Sequence, residues 1–258
     1  MADLTVLGSC GAWPEPDRAC SGLLLMHNEF RVVLDLGYGT VAPLLRHCPG
    51  GAVDAVVITH EHPDHCVDLS ALARLRFFHG ADRPRLPLYC PPGVVRVLES
   101  LEPRPAPHEV FDIHELSGTH RAGPFRLDAF PLPHHVPAFG VRLTTREYAF
   151  AYTGDGGPSP ELAELGAGTD LFVMEATLQG PAPVTGPRYL TTAREAGEWA
   201  ARAGARRLLL THFWPGADRA VSVAEAGEAF TGEVLAAEED MVVHLGRART
   251  DQGAGQAS

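Results

Sequence analysis

The chain has 258 residues, 45% of them apolar, enough for the buried core of one large domain. Its formal net charge is −11, and all 21 basic residues are arginine. That balance argues against a broad phosphate-tracking surface for nucleic acid, and no apolar run is long enough to span a membrane.

The first residues carry no basic region followed by an apolar one, so a cytoplasmic location is expected. Residues 4–8 read as a strand that runs into a Gly/Pro-rich loop over 9–21. Strands are expected at 22–26 and 31–34, joined by a turn at His27-Asn28-Glu29. Asp35-Leu36-Gly37 follows as a turn, then a short helix over 40–47 that stops before Pro49. A buried strand at 55–58 ends in Thr59-His60-Glu61-His62-Pro63-Asp64-His65.

That last stretch dominates the chain. Imidazole and carboxylate suit zinc and related divalent metals. In an extended turn His60 and His62 face one ion, while Asp64 and His65 face a neighbour. Cys66 follows directly and reads as a small buried residue. The five cysteines, odd in number and lacking a Cys-x-x-Cys pair, argue against a disulfide framework.

A helix is expected over 68–78, with Leu69, Leu72, Leu75 and Phe78 as its apolar face. A strand at 86–90, a helix at 92–101 and a proline-rich loop at 102–107 come next. His79, His108, His114 and His120 lack ligand spacing. Strands at 126–130, 148–152 and 170–174 end near His134-His135, Asp155 and Glu175, with a further strand at 139–144 and a short helix at 158–165. The helix at 191–203 carries a capping box, Thr192 with Glu195, and stops at Gly204. A strand at 207–210 ends at His212, a helix spans 223–230, and short strands lie near Val234 and over 241–245. One domain over 1–246 is expected, with a polar, frayed tail over 247–258.

His60-x-His62-x-Asp64-His65 resembles the signature of the metallo-β-lactamase fold superfamily, and the resemblance extends over nearly the whole chain. It implies an α/β fold, an αββα sandwich of two mixed β-sheets with flanking helices. By that resemblance His60, His62 and His134 hold a first metal, Asp64, His65 and His212 a second, and Asp155 bridges them. His134 is preferred to His135 because it stands five residues before Phe139, in the family's register. Asp35 resembles the aspartate that supports the metal loop. Zn2+ is the expected ion, with Mn2+ or Fe2+ as alternatives. Two such ions about 3.5–4 Å apart activate a shared water for attack on phosphorus or a carbonyl carbon. Asp64 and Asp155 are the candidate catalytic proton acceptors.

Within the superfamily, Gly8-Ser9-x-Gly11, Phe139-Gly140-Val141-Arg142, Glu175-Ala176-Thr177 and Leu210-Thr211-His212 resemble the RNase Z-like and cyclic-nucleotide phosphodiesterase-like branch. Three departures stand out. Only twenty residues separate His134 from Asp155, with no room for a tRNA-gripping arm. Met174 replaces the histidine expected before Glu175, and Leu190 replaces the histidine expected to protonate the leaving oxygen. The expectation is therefore hydrolysis of a small phosphodiester. A carboxyl-derivative hydrolase (ester, lactone or thioester) and a metal-binding ligand sensor are the alternatives. The expected partner is a small anionic or ester-type substrate, with no stable nucleic acid and no membrane, and a homodimer is left open.

Overall fold

The structure is a computed structural model and describes residues 2–79, 83–182 and 185–246. The tail expected over 247–258 lies outside the described residues. The first half of the chain runs β1 (Ala2–Gly8), β2 (Gly22–His27), β3 (Phe30–Leu36), α1 (Val41–His47), β4 (Ala55–Val57), α2 (Pro63–Cys66), α3 (Leu69–His79), β5 (Leu86–Cys90), α4 (Pro92–Leu101), α5 (Pro107–Val110) and β6 (Phe111–Glu115). The second half runs β7 (Thr119–Ala122), β8 (Phe125–Leu132), β9 (Ala138–Thr144), β10 (Ala149–Tyr152), α6 (Glu161–Leu165), β11 (Leu171–Glu175), α7 (Ala193–Ala203), β12 (Arg207–Thr211), α8 (Arg219–Gly227), β13 (Glu233–Ala236) and β14 (Val242–Leu245).

Two seven-stranded sheets result among the described residues, ordered β14-β1-β2-β3-β4-β5-β6 and β13-β12-β11-β10-β9-β8-β7. The first sheet pairs antiparallel from β14 to β3 and parallel from β3 to β6. The second repeats that plan, antiparallel from β7 to β10 and parallel from β10 to β13. Side chains alternate across a strand with period two. Leu23, Leu25, Val32, Leu34 and Val57 therefore face the second sheet, against Phe125, Leu143 and Phe150. Leu24, Val33 and Val56 face outward into a second core with Leu44, Leu69 and Val94 of the helices. Strands covered on both faces read as unbroken apolar runs, which is how β2, β3 and β4 look in the sequence. This is the αββα sandwich expected.

Several expectations change in detail. His62 is extended, as the turn reading expects, and Asp64 and His65 follow it on α2, a single helical turn. Phe78 is 61% exposed, and the inner face of α3 is Leu69, Leu72, Ala73 and Arg76. The reason is geometric. A repeat of three falls about 60° short of a 3.6-residue turn at each step, so three steps carry Phe78 to the opposite side. Beyond the loop expected over 102–107, where the sequence reading assigns no element, lie α5 and the edge strands β6 and β7. Thr192 and Glu195 form the capping box, and Gly204 ends α7 in the left-handed conformation. All five cysteines are free and buried, and burial pushes the Cys66 thiol up to about 12. Among the described residues no helix is long and apolar enough to cross a membrane.

Candidate metal centre

The chemistry-bearing residues follow the ends of strands that meet at one edge of the two sheets. His60, His62, Asp64 and His65 follow β4, His134 follows β8, Asp155 follows β10 and His212 follows β12. The two sheets are tied there. Phe139 donates its backbone N–H to the Thr59 carbonyl at 3.2 Å. Gly154 takes φ +57°, and a β-carbon on it would lie 2.7 Å from the Thr59 side chain. Only glycine lets the Asp155 loop come this close in this conformation.

Two groups of donor atoms emerge. His60, His62, His134 and Asp155 form the first and Asp64, His65 and His212 the second, each with its donor atoms within 4.8 Å of one another. In the first, His62 Nδ1 lies 3.1 Å from both His60 Nε2 and His134 Nε2. In the second, His212 Nε2 lies 3.2 Å from Asp64 Oδ2. Asp155 joins them. Its Oδ1 is 3.3 Å from Nε2 of His65 and of His212, and its Oδ2 is 3.9 Å from His60 Nε2 and 3.8 Å from His134 Nε2.

The outer partners decide which nitrogen of each ring looks inward. His134 Nδ1 meets the Tyr189 carbonyl at 3.0 Å, and His65 Nδ1 meets Asp35 Oδ2 at 2.8 Å. A carbonyl or carboxylate oxygen only accepts, so both Nδ1 atoms carry a proton. Thr59 Oγ1 donates to Asp35 at 2.9 Å and so accepts from His60 Nδ1 at 3.0 Å. Thr177 Oγ1 donates to Glu175 at 2.7 Å and so accepts from His212 Nδ1 at 2.8 Å. Four rings are thus held with Nε2 towards the centre.

The electrostatics agree. Burial and the neighbouring His65 charge hold His60 well below its ordinary value, and burial also lowers His62 and His134. Those three rings are neutral, as ligation requires. Burial opposes ionisation of Asp155 and Asp64, yet the His212 and His65 charges override it and hold both carboxyls low. Burial likewise opposes charge on His65 and His212, but Asp155, with Asp35 or Asp64, raises both.

The residues fit divalent ions. His60 and His134 both aim a lone pair at His62 Nδ1, which has a proton for one of them at most. His65 Nε2 and Asp155 Oδ1 are buried without a hydrogen-bond partner among the described residues. Crowded lone pairs and orphaned buried atoms beside the Asp64 and Asp155 carboxylates are what a cation would relieve.

Further neighbours complete the site. Ala12 donates its backbone N–H to Asp64 Oδ2 at 2.8 Å. A β-carbon on Gly11 would lie 2.7 Å from the His212 ring, so the 9–21 loop does reach the site. Glu61 Oε2 occupies the space a β-carbon on Gly93 would need, which anchors the histidine-rich loop on the first turn of α4. Glu175 binds Thr177 and Thr191 and reaches His212 through Thr177. His135 stays outside both groups, with its exposed ring 4.2 Å from that of Tyr189.

The sequence pattern of the β-lactamase superfamily domain matches residues 31–213. An uncharacterized protein of Mycobacterium tuberculosis is 34% identical, covering 95% of this chain and 93% of that one. A probable metallo-hydrolase of Bacillus subtilis, YhfI, is 27% identical over 93% of this chain and 98% of its own length. The crystal structure of YhfI superposes with a TM-score of 0.84, covering 94% of this chain and 98% of that one. Ribonuclease Z of Haloferax volcanii is 26% identical, covering 96% of each chain.

Proposed function

Since the chain belongs to the metallo-β-lactamase superfamily of hydrolases, we propose that it hydrolyses a small phosphodiester with two divalent ions. His60, His62, His134, Asp64, His65, His212 and Asp155 would hold such ions, with Zn2+ the expected species. The observation that carries this reading is the set of four rings locked with Nε2 inward around one carboxylate. Bound ions would supply Lewis-acid polarisation of the scissile group and a nucleophile at neutral pH. Asp35, Thr59, Thr177 and Glu175 orient the rings. Asp64 and Asp155, both held ionised, are placed to accept the proton that the attacking water gives up.

A small substrate suits the connection from His134 to Asp155. It is filled by the β9–β10 hairpin, whose turn spans only residues 145–148. The alignment with the Haloferax volcanii ribonuclease Z runs over 307 positions, more than the 258 residues of this chain. The ribonuclease therefore carries segments that this chain lacks. With a charge of −11 as well, precursor tRNA should undergo little specific cleavage.

Leu190 favours a second reading. Without a histidine there, a carboxyl derivative, whose departure needs less proton help than a sugar alkoxide, is an alternative substrate. Elemental analysis of protein purified without chelator, followed by turnover of a model phosphodiester and a lactone, tests both. Near two metal equivalents and metal-dependent phosphodiester cleavage are expected. Protein that cannot be reloaded towards two equivalents would sink the reading, and lactone turnover alone would favour the alternative.

A further inference from the structure

We propose that Trp214, braced by Trp13, is the stacking platform for a planar aromatic ring of the substrate, such as the base of a nucleotide. The inference rests on the phosphodiester reading above and names the part of the substrate that does not react.

Both indoles are unusually open for tryptophan, at 47% exposure for Trp13 and 44% for Trp214. They touch edge to face, with centroids 5.0 Å apart and planes at 80°. That geometry leaves ring faces uncovered. Exposed aromatic surface of this kind is costly in water unless something stacks on it.

The pair is built into the site. Trp13 follows Ala12, whose N–H holds Asp64 Oδ2, and Trp214 lies two residues after His212. The two loops are joined by backbone hydrogen bonds, Gly11 N–H to Phe213 O at 2.8 Å and Phe213 N–H to Ser9 O at 2.9 Å. Gly216 N–H adds a bond to Glu15 Oε1 at 2.9 Å. The backbones that carry the two indoles are therefore tied to the loops that carry the donor atoms.

A cavity of about 440 Å³ opens beside Trp214, lined by residues 177–179 and 214–217. Thr177 is common to cavity and site, since its hydroxyl accepts from His212 Nδ1. Among the described residues no charged side chain lines this cavity. A phosphate finds no partner there, whereas a neutral ring finds an indole face, Leu178 and Pro215. The negative end of the substrate belongs to the ion cluster and its neutral, planar end to this cavity. Gln179 donates from Nε2 to Asp218 O at 2.6 Å and Ser222 Oγ at 2.9 Å, which leaves its Oε1 as the acceptor for an amino group on a ring edge.

The test compares adenosine monophosphate with ribose 5-phosphate, which share the phosphate and differ in the ring. Binding to the metal-loaded protein is read by tryptophan fluorescence and calorimetry, without turnover. Adenosine monophosphate should bind more tightly than ribose 5-phosphate. Trp214→Ala should weaken it by roughly 5- to 150-fold, the usual worth of one base–aromatic stack, and leave ribose 5-phosphate unchanged. Trp214→Phe should restore most of the loss. Trp199→Phe, whose indole packs under Arg202 on α7, should change nothing. Equal affinity for the two ligands in wild type overturns the proposal. So does a Trp214→Ala loss shared equally by both ligands, or sedimentation showing the indoles buried between two copies of the chain. The outcomes separate this inference from the reading beneath it. If a base-free phosphodiester is hydrolysed while adenosine monophosphate ignores Trp214, only the platform fails. If Trp214-dependent binding occurs while no phosphodiester is cleaved, only the phosphodiesterase reading fails.

Discussion

Asp35 Oδ2 lies 2.8 Å from His65 Nδ1, and that contact fixes which ring nitrogen faces the second donor group. The same carboxylate accepts from Thr59 N–H at 2.7 Å, Thr59 Oγ1 at 2.9 Å and Tyr152 OH at 2.9 Å. Thr59 passes the orientation on to His60, so one buried residue sets a ring in each group. Asp35 does so from φ +59°, a left-handed conformation that costs a non-glycine residue about 1–3 kcal/mol. Its ring of donors holds it there.

Asp35→Asn keeps the shape but turns a donor against a donor. Outer partners of this kind are worth about 10–100-fold in metal affinity. Asp35→Asn should therefore weaken both ions, while Thr177→Val, which touches only His212, should weaken one. Chelator competition on the two variants reads this directly. Release in one indistinguishable step from both would show that the two supports are not separable.

Asp155→Ala should be far more damaging than His135→Ala. Asp155 approaches His60, His65, His134 and His212, whereas His135 belongs to neither donor group. Metal content and activity measured on both variants decide the point, with His135→Ala expected to retain its metal. Equal losses would mean that the ligand on the β8–β9 loop is misassigned.

Much of the candidate site was readable in the sequence because its histidines and aspartates are chemically distinctive and follow apolar strands. The distance to Phe139 favours His134 over His135, and the structure groups His134 with His60, His62 and Asp155. What the sequence hid is carried by ordinary groups. The hydroxyls of Thr59 and Thr177 and the backbone N–H of Ala12 have no signature of their own, and their role comes only from where folding puts them. Glu175 looked isolated without a histidine before it, yet it reaches His212 through Thr177. The strands β6 and β7 escaped notice for another reason. They lie at sheet edges, so polar residues such as Asp112, His114 and Arg121 are admitted and the alternating signal is weak.

Glu175 gives the clearest pH signature. Burial, and then the Asp155 charge, raise its carboxyl from 4.5 to about 7. The folded metal-free chain therefore keeps a proton that the unfolded chain releases. Between roughly pH 4.5 and 7 the native state binds more protons, so this group's contribution to stability is full below that window and is lost as pH rises through it. Glu175→Gln removes the titration, so its denaturant midpoint should fall less steeply than that of wild type over this window. Parallel profiles for the two metal-free proteins would show that Glu175 is already ionised, held by its threonine donors.

The last prediction concerns Leu190. It sits on a segment pinned at both sides. The Tyr189 carbonyl receives His134 Nδ1, and the Thr191 N–H and hydroxyl both go to Glu175 Oε1. Position 190 therefore lies between two residues bonded to the outer partners of the donor cluster, and in wild type its side chain has no proton to give. General-acid help to a leaving alkoxide is worth about 10²–10⁴-fold where present. Wild type should then cleave a nitrophenyl phosphodiester far faster than a cyclic nucleotide. Leu190→His should narrow that gap by accelerating the poor leaving group and leaving the good one nearly unchanged. The slope of log rate against leaving-group pKa, measured for both proteins, is the readout. If wild type already cleaves a cyclic nucleotide as readily as the activated ester, a proton donor is present, and Tyr189→Phe should then steepen the slope. If neither diester reacts while a lactone or thioester does, the carboxyl-hydrolase reading takes over.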